Sequence, residues 1–352
     1  MTKAYYLPAE WHHQRCLQLT WPHAATDWAP YLNDITETML QLADAVSRQE
    51  PMIIVTADAD ATRNLLAARL SPKQMEQVTL YECPTNDTWA RDHGGITLLP
   101  TDGEGQPLIL DYRFNGWGEK FPSQLDNAIT PRLHQAGVFN GYDMKDCEDF
   151  VLEGGSIESD GKGNLFTTAP CLLAPHRNQP MDEGEIEERL KADMGVQRVV
   201  WLHHGMLIGD DTDGHIDTLV RTAPNDTLLY VAPNKKDAEG DDDAKLQYNE
   251  LKLMEEELQT LRNDAGKPFR LLPLPCPDAI CYDGERLPAT YANFVIVNGA
   301  VIVPQYGQER NDRTAMQQIQ LAFPDRKMVG IDANTVIRQH GSLHCLTMQY
   351  PL

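Results

Sequence analysis

The sequence predicts an α/β protein in which one unit of strand, strand, helix and strand recurs along the chain. Short apolar runs, typical of buried strands, alternate with amphipathic helical stretches, and the unit returns at intervals of roughly 50 to 75 residues. The Asn298-Gly299 pair between two apolar runs also predicts a hairpin inside one unit. Repeats of this kind form one architecture, so we predict a single domain over residues 1–352.

The chain opens with elements that precede the clear repeats. A short apolar run at 16–21 predicts a strand, and apolar residues at helical spacing predict a helix at 34–47. The other elements predicted in this part are strands at 52–56, 78–83 and 96–99 and a helix at 59–70.

Three clear passes of the unit follow. The first has strands at 150–155, 164–169 and 196–202 with an acidic helix at 182–194; the second has strands at 215–221, 227–232 and 269–274 with a helix at 244–262; the third has strands at 291–297, 300–303 and 327–331 with a helix at 312–323. Polar candidates recur at or near the first strand of a unit, namely at Asp92, Glu153, His215 and Cys345. If the units surround an axis, these positions converge at the centre.

The charge balance limits the classes of binding partner that the sequence predicts. The chain has 30 basic and 52 acidic residues and a formal net charge of -22. This excess of acid argues against nucleic acid and anionic membranes as partners, and it is compatible with a small cationic substrate.

The cysteine content and the N-terminus predict a soluble, cytoplasmic protein. Seven cysteines, an odd number, are scattered without a repeated spacing, and the C-x4-C of Cys276 and Cys281 has no second pair to complete a zinc site. The first residues contain no apolar signal segment, and no stretch is long enough to span a bilayer. A reduced compartment is therefore expected.

The densest polar segment is Gly209-Asp-Asp-Thr-Asp-Gly-His-Ile-Asp217. His215 is a candidate general acid/base, and Asp217, two residues on, would point the same way along a strand. One alternative is a solvated acidic turn. Another is a metal site built from His203, His204, Asp211, Asp213, His215 and Asp217, although no matched ligand motif supports a metal.

Two further segments offer groups for a planar cation. Glu153 precedes Gly154 and Gly155, and paired glycines either permit a simple turn or let a ligand pass close to the backbone. In Asn86-Asp-Thr-Trp-Ala-Arg-Asp92, the carboxylate of Asp92 would bind the cation and Trp89 would form an aromatic wall. The alternative there is an Asx turn with a packed tryptophan. Trp117, in Asn115-Gly-Trp-Gly118, is a second candidate wall or part of a structural turn.

Cys345 lies close to the C-terminus in a short polar turn that runs into a strand. A lone cysteine in such a place is more often an inert buried residue. Alternation would put Leu343, Cys345 and Thr347 on one side of the strand. A cysteine, a histidine and several carboxylates are together the groups needed to attack an amidine-like carbon, so we interpret Cys345 as a nucleophile.

These segments together resemble the agmatine deiminase family of guanidine-modifying enzymes. The motifs that carry the resemblance follow the family's order along almost the whole chain: NDTWARDHGG, FNGWG, VLEGGSIESDG, GDDTDGHIDTL, LPATYANF and QHGSLHCLTMQ. The resemblance implies one α/β domain of five pseudo-symmetric modules, a propeller or pentein fan, around a central active-site channel. One departure is HGSLHC before the nucleophile, where many members have a run of glycines with Asn before the His.

The resemblance also implies roles for individual residues. Cys345 matches the nucleophile, His215 the acid/base, Asp92 and Asp217 the guanidinium-binding carboxylates, and Glu153 the glutamate that holds the substrate and assists proton transfer. We further predict substrate contacts from Trp89, Asp87, Asp211, Trp117 and Gly154. No cofactor or metal is expected, and the resemblance implies a homo-oligomer.

The predicted reaction is hydrolysis of agmatine to N-carbamoylputrescine and ammonia through a covalent cysteine thioether. Acidic residues dominate the motifs, and Arg91 is the one basic residue among them. We therefore predict a preference for agmatine over arginine, because the carboxylate of arginine would need a basic partner. The alternatives are an arginine or peptidyl-arginine deiminase, an amidinotransferase, a metal-dependent hydrolase using the His/Asp cluster, and a polyamine-binding protein that has lost catalysis.

Overall fold

The computed structural model describes residues 4–352. Its strands are, in chain order, β1 Tyr5–Tyr6, β2 Gln14–Thr20, β3 Met52–Thr56, β4 Val78–Glu82, β5 Ile96–Pro100, β6 Leu108–Arg113, β7 Asp143–Val151, β8 Ile157–Ser159, β9 Asn164–Thr168, β10 Arg198–Leu202, β11 Val220–Ala223, β12 Thr227–Ala232, β13 Arg270–Pro275, β14 Cys281–Tyr282, β15 Glu285–Arg286, β16 Val295–Val297, β17 Ala300–Gln305, β18 Lys327–Asp332 and β19 Thr347–Pro351.

The α-helices and short helical turns lie between these strands. They are α1 Leu32–Ser47, α2 Ala59–Arg69, α3 Pro72–Met75, α4 Ala90–His93, α5 Gly116–Glu119, α6 Gln124–Asn127, α7 Ile129–Gln135, α8 Ala169–Leu172, α9 Glu183–Met194, α10 Asp242–Thr260 and α11 Glu309–Ala322. Within the described part of the chain, none of the helices combines the length and the apolar character that a membrane crossing requires.

One sheet pattern occurs five times in the described residues. An antiparallel pair is followed by a parallel strand in β5-β6-β7, β8-β9-β10, β11-β12-β13, β16-β17-β18 and β19-β2-β3. Parallel neighbours need a crossover connection, and helices supply it in each case. The last of these sheets pairs β19, from the end of the chain, with β2 near its beginning. The result is a mixed α/β fold whose two chain ends share a sheet.

Local sequence explains the crossover helices. Asp182 caps α9 by accepting from the backbone N–H of Glu185, whose side chain accepts from the Asp182 N–H in return. In α1, Ile35, Met39 and Leu42 recur at helical spacing and are fully buried. Burial of this apolar face against the sheet, rather than helix propensity alone, stabilises such a helix.

Most predicted strands and helices are confirmed, but the first strand predicted for each of the three repeat units was wrong in whole or in part. Phe150 and Val151 end β7 of the preceding sheet, and Gly154–Ser156 is a 3-10 turn before β8. Within 215–221, Ile216–Thr218 form a 3-10 turn and only the last two residues belong to β11, so Asp217 does not follow His215 along a strand. The strand expected at 291–297 is restricted to β16.

These errors have one physical cause. Each segment is a buried turn that leads into a first strand, and burial requires the same apolar residues that a strand requires. Cys345 lies in a turn of this kind before β19, so strand alternation does not describe its neighbours. The sheet β5-β6-β7 was not recognised as a repeat, because β6 and β7 carry charged residues among their apolar ones.

Candidate active site

The five residues predicted to be catalytic meet in one buried cluster. Asp92 precedes β5, Glu153 precedes β8, His215 and Asp217 precede β11, and Cys345 precedes β19. All five have a relative exposure of 3% or less. The turns before four different sheets therefore deliver the polar side chains to a common place.

His215 is held beside Asp92 without a regular hydrogen bond. Its Nδ1 lies 3.6 Å from Oδ1 of Asp92, and neither ring nitrogen has a hydrogen-bond partner. Burial lowers the pKa of His215, but its neighbours, first Asp92, then Cys171 and Glu153, outweigh burial and leave this pKa well above its usual value. The imidazole is thus a buried proton donor with both nitrogens available.

Gly155, rather than the predicted Gly154, faces this cluster. A Cβ on Gly155 would lie 2.6 Å from Nδ1 of His215 and 2.8 Å from Oδ1 of Asp92, so a side chain there would displace both. Gly154 instead packs against the Arg91 carbonyl oxygen and Met348, away from the acid/base. Gly155 therefore allows close packing within the cluster, and Gly154 allows close packing beside it.

Glu153 is paired with a cation that the sequence did not reveal. Nε of Arg177 donates to both carboxylate oxygens of Glu153, at 3.1 and 3.2 Å, and both side chains are inaccessible to solvent. Arg177 also donates to Asp213 at 2.7 Å and to the Thr212 carbonyl oxygen. This arginine fixes Glu153 and ties it to the acidic turn that precedes His215.

Asp92 accepts two hydrogen bonds from neutral donors. Nε1 of Trp117 donates to Oδ2 at 3.0 Å, and the backbone N–H of Gly155 donates to Oδ1 at 3.0 Å. Burial raises the pKa of Asp92 to about 6; His215 opposes this rise and the carboxylates of Asp217 and Glu153 add to it. The positive neighbour of Asp92 is thus His215, at 3.6 Å and without a regular hydrogen bond.

Asp217 belongs to a chain of buried charges. Its Oδ2 lies 2.7 Å from Nδ1 of His344, whose Nε2 lies 2.8 Å from Glu10, and Glu10 pairs with Arg221. Burial would raise the pKa of Asp217, but the His344 partner lowers it below its usual value. Oδ1 of Asp217 is buried and has no hydrogen-bond partner.

Cys345 is positioned by Asn293, a second residue that sequence reasoning missed. Oδ1 of Asn293 accepts from the backbone N–H groups of His344 and Cys345, at 2.9 and 3.2 Å, and lies 3.4 Å from Sγ of Cys345. Sγ also lies 3.9 Å from Oδ2 of Asp217. Burial, with Asp217 and Asp92 nearby, raises the pKa of the Cys345 thiol well above its usual value.

A cavity of about 260 Å³ leads to this cluster. Cys345 and Asp92 line it, as do four of the predicted substrate-binding residues, Trp89, Asp87, Asp211 and Trp117. Trp89 lies directly against Gly341, where a Cβ would come within 2.1 Å of its ring. The aromatic walls and the acidic lining suit a small planar cation.

The cavity also contains basic groups that the sequence argument did not anticipate. Arg338 and His340 line it, whereas Arg91 is buried elsewhere, with Nη1 3.6 Å from the sulfur of Met348. The Arg338 guanidinium stacks on Tyr31 and Tyr282, at 5.4 and 4.6 Å from the ring centroids. The only sequence signal for Arg338 was its nearness to Cys345.

The histidines proposed for a metal site do not assemble. His203 contacts Glu183 and Glu257, and His204 contacts Glu250, all on the surface side of α9 and α10. In the described residues, two other groups bring possible metal donors together: Glu153 with Cys171 and His215, and Glu10 with Glu158 and His344. The His/Asp set on which the metallohydrolase alternative relied is therefore not a site.

Comparison with known proteins decides the family. The model of the Porphyromonas-type peptidyl-arginine deiminases matches residues 6–351. The chain belongs to this family. It is an enzyme of the deiminase class, a hydrolase that acts on carbon–nitrogen bonds.

Three relatives show in more detail what this deiminase is similar to. A Vibrio parahaemolyticus protein that bears a provisional agmatine deiminase name is 31% identical over 369 residues, which cover 99% of this chain and 97% of the relative. The solved structure of a provisionally named arginine deiminase from Porphyromonas gingivalis is 47% identical with a TM-score of 0.90, covering 99% and 98% of the two chains. An agmatine deiminase of C. jejuni, solved as a cysteine-to-serine variant with substrate bound, is 35% identical with a TM-score of 0.86, covering 98% and 96%.

Proposed function

We propose that this deiminase hydrolyses agmatine to N-carbamoylputrescine and ammonia through a covalent intermediate on Cys345. One observation carries the proposal. Oδ2 of Asp217 lies 3.9 Å from the Cys345 sulfur, the Oδ1 atom of the same carboxylate is buried without a hydrogen-bond partner, and Cys345 lines an acidic and aromatic cavity. A buried carboxylate oxygen without a donor requires one, and a guanidinium N–H supplies it.

The two aspartates would hold the substrate. A guanidinium keeps its proton at biological pH because its pKa lies above ~12, and its N–H groups lie in one plane. Asp92 and Asp217 offer carboxylates near the sulfur, and Trp89 and Trp117 offer aromatic surfaces in the cavity. This arrangement presents the central carbon to the nucleophile in a fixed orientation.

The substrate itself would ionise the nucleophile. Two carboxylates oppose the thiolate of Cys345 in the free enzyme, so its thiol is protonated. The incoming cation neutralises these carboxylates and lowers the thiol pKa, and the proton leaves to solvent. The thiolate then attacks the central carbon and forms a C–S bond.

His215 would move the remaining protons. It gives its proton to the departing nitrogen, the C–N bond breaks, ammonia leaves, and an amidinium thioether remains on Cys345. Neutral His215 then takes a proton from water, whose oxygen attacks the same carbon. The C–S bond breaks, and the ureido product and the thiolate are released. The net reaction is guanidinium plus water to a urea and ammonium.

The substrate class follows from the charge of the cavity. Asp27, Asp87 and Asp211 also line it, and they would attract the ammonium of agmatine, which is its second positive charge. One observation favours a second candidate: Arg338 could pair with the carboxylate of arginine or of a C-terminal arginine. The relatives carry agmatine, arginine and peptidyl-arginine names, so they leave this choice open.

The test compares ammonia release from agmatine, arginine and a short arginine peptide in one buffer. We expect kcat/KM to be highest for agmatine by at least about tenfold, since ~1.4 kcal/mol of unfavourable carboxylate interaction suffices. Higher kcat/KM for arginine or the peptide would move the assignment, and loss of that preference in Arg338→Gln would identify the cause.

The same proposal includes the organisation of the molecule. We propose that the five sheets form five modules of one domain around a central axis, because four of them deliver catalytic side chains and a fifth delivers Asn293 from before β16. The proposed range is 1–352, of which residues 1–3 lie outside the described part. A cytoplasmic location is consistent with the seven cysteines, all within 4–352 and all free thiols.

A further inference from the structure

We propose that Cys171, His215 and Glu153 form an inhibitory binding site for a thiophilic divalent cation such as Zn²⁺. The binding site goes beyond the proposed function, whereas the inhibition rests on it through the acid/base role of His215. The donor atoms of the three side chains all lie within 4.8 Å of one another, and all three residues are buried.

The donor set suits a borderline-soft cation. Cys171 lies in α8 and supplies sulfur, His215 supplies a ring nitrogen and Glu153 supplies oxygen, which are the three ligand types that Zn²⁺ takes in proteins. Mg²⁺ and Ca²⁺ prefer oxygen ligands and are not expected to bind here. Three protein ligands leave the fourth position for water.

The polar atoms around His215 are incompletely paired. Neither ring nitrogen of His215 has a hydrogen-bond partner, although the ring is fully buried. Asp92 lies 3.6 Å away and adds negative charge. Arg177 neutralises Glu153, but it uses one hydrogen bond to each carboxylate oxygen, and a carboxylate offers about four lone-pair sites.

In the described residues, the second group of possible metal donors is paired with a cation of the protein itself. Glu10, Glu158 and His344 also lie within 4.8 Å of one another. There the Arg221 guanidinium pairs with both glutamates and lies 3.1 Å from His344. In that group the guanidinium contacts all three side chains, whereas in the group around Cys171 the Arg177 guanidinium hydrogen-bonds only Glu153 and leaves both ring nitrogens of His215 without a partner.

Metal binding would stop catalysis by engaging the acid/base. A ligated His215 can neither protonate the leaving nitrogen nor activate water. Binding releases the proton of the Cys171 thiol and one ring proton of His215 to solvent, because the thiolate and the neutral imidazole are the ligands.

The binding test removes the catalytic thiol first, since Cys345 is itself a thiophilic group. Cys345→Ala protein is titrated with Co²⁺ as a spectroscopic probe. We expect one equivalent to bind with a sulfur-to-cobalt charge-transfer band. The band should disappear in Cys345→Ala/Cys171→Ala and persist in Cys345→Ala/Cys147→Ala, because Cys147 is an equally buried cysteine outside the group.

A second measurement does not depend on a Cys171 variant. X-ray absorption of the Zn²⁺ complex of Cys345→Ala should show one sulfur at about 2.3 Å together with nitrogen and oxygen ligands. A zinc shell without sulfur, or a cobalt band that survives loss of Cys171, would overturn the proposed site.

The activity test uses the otherwise unchanged enzyme. Cys171→Ala should keep agmatine hydrolysis and require roughly tenfold or more Zn²⁺ for half-inhibition, while Cys147→Ala should match the parent. Equal sensitivity of the parent and Cys171→Ala would contradict inhibition through this site. If the parent shows no deiminase activity, the proposed function fails, and the cobalt titration still decides the binding site.

Discussion

Asp92 and Asp217 are two buried carboxylates near the Cys345 sulfur, and the fold gives them opposite electrostatic environments. Asp217 bonds His344, which is backed by Glu10 and Arg221, and its pKa is lowered. Asp92 is bonded by the neutral donors Trp117 and Gly155, and burial raises its pKa to about 6. The His344 partner thus lowers the pKa of Asp217, whereas at Asp92 burial and the nearby carboxylates outweigh the attraction of His215, which lies 3.6 Å away.

The difference indicates how the site meets its substrate. A carboxylate that is already ionised, with Oδ1 unpartnered, provides a permanent place for one edge of a guanidinium. A carboxylate whose pKa is raised by burial gains most when a further cation arrives. Under the proposed mechanism, Asp92 would couple substrate binding to the ionisation of the site, and the same cation would lower the pKa of Cys345.

Among the substitutions that test this comparison, removal of the Asp217 charge should cause the largest loss of kcat/KM. Asp217→Asn deprives the substrate of one carboxylate and leaves His344 without its anion. We expect kcat/KM for agmatine to fall at least about 100-fold, because breaking a buried charge pair costs roughly 2–5 kcal/mol. Steady-state kinetics of folded protein measures it; near-normal kinetics would remove Asp217 from the site.

A smaller loss of kcat/KM should follow from substitution of His344, which bonds Asp217. His344→Gln removes the imidazole that bonds Oδ2 of Asp217 and lowers the pKa of this carboxyl, so the pKa of Asp217 should rise. We expect kcat/KM to fall about 10–100-fold and its acid limb to move to higher pH. The control is His13→Gln, an exposed histidine. A uniform loss without a change in the pH profile would indicate damage to packing only.

The third prediction concerns pH and tests Asp92 directly. Its pKa of about 6 means that the free enzyme takes up a proton on this carboxylate as the pH falls through that value. We expect kcat/KM to decline below about pH 6, because the neutral acid binds a cation poorly. The residual activity of Asp92→Asn should lack this limb, and a limb that persists there belongs to another group.

The smallest effect on activity should come from Glu10, whose main effect is on stability. The His344 and Arg221 charges lower the pKa of Glu10 below its unfolded value of 4.5 despite burial. Its stabilisation is therefore fully present above about pH 4.5 and is lost as the pH falls further. Glu10→Gln should lower the free energy of unfolding by about 3 kcal/mol at pH 7 and by less at pH 4. Denaturant unfolding at both values measures this difference, and an equal loss at both would contradict it.

The sequence predicted more of the catalytic centre than of its surroundings. The acid, base and nucleophile types were visible because they sit in distinctive polar motifs before first strands. Their partners were not visible, because Arg177, Asn293 and Glu10 are ordinary residues until the fold brings them close. His344 and Glu10, for example, are 334 positions apart. The contrast between Asp92 and Asp217 depends entirely on such partners.

The strands and helices that were predicted correctly are those in which the spacing of apolar residues determines the structure. The crossover helices and the central strands follow from apolar spacing and caps. The turns before the first strands were misassigned because buried turns carry strand-like composition, as at 150–155 and 215–221. The pairing of β19 with β2 joins the two ends of the chain, and no local pattern encodes it.

The most direct test of this account is the covalent intermediate on Cys345. Wild-type enzyme is mixed with agmatine, quenched in acid during turnover, digested and analysed by mass spectrometry. We expect an amidino adduct of the substrate on the peptide that contains Cys345, and none in Cys345→Ser, which should also lose several orders of magnitude in kcat. An adduct on Cys171 or Cys83 with Cys345 unmodified, or undiminished turnover by Cys345→Ser, would contradict the account.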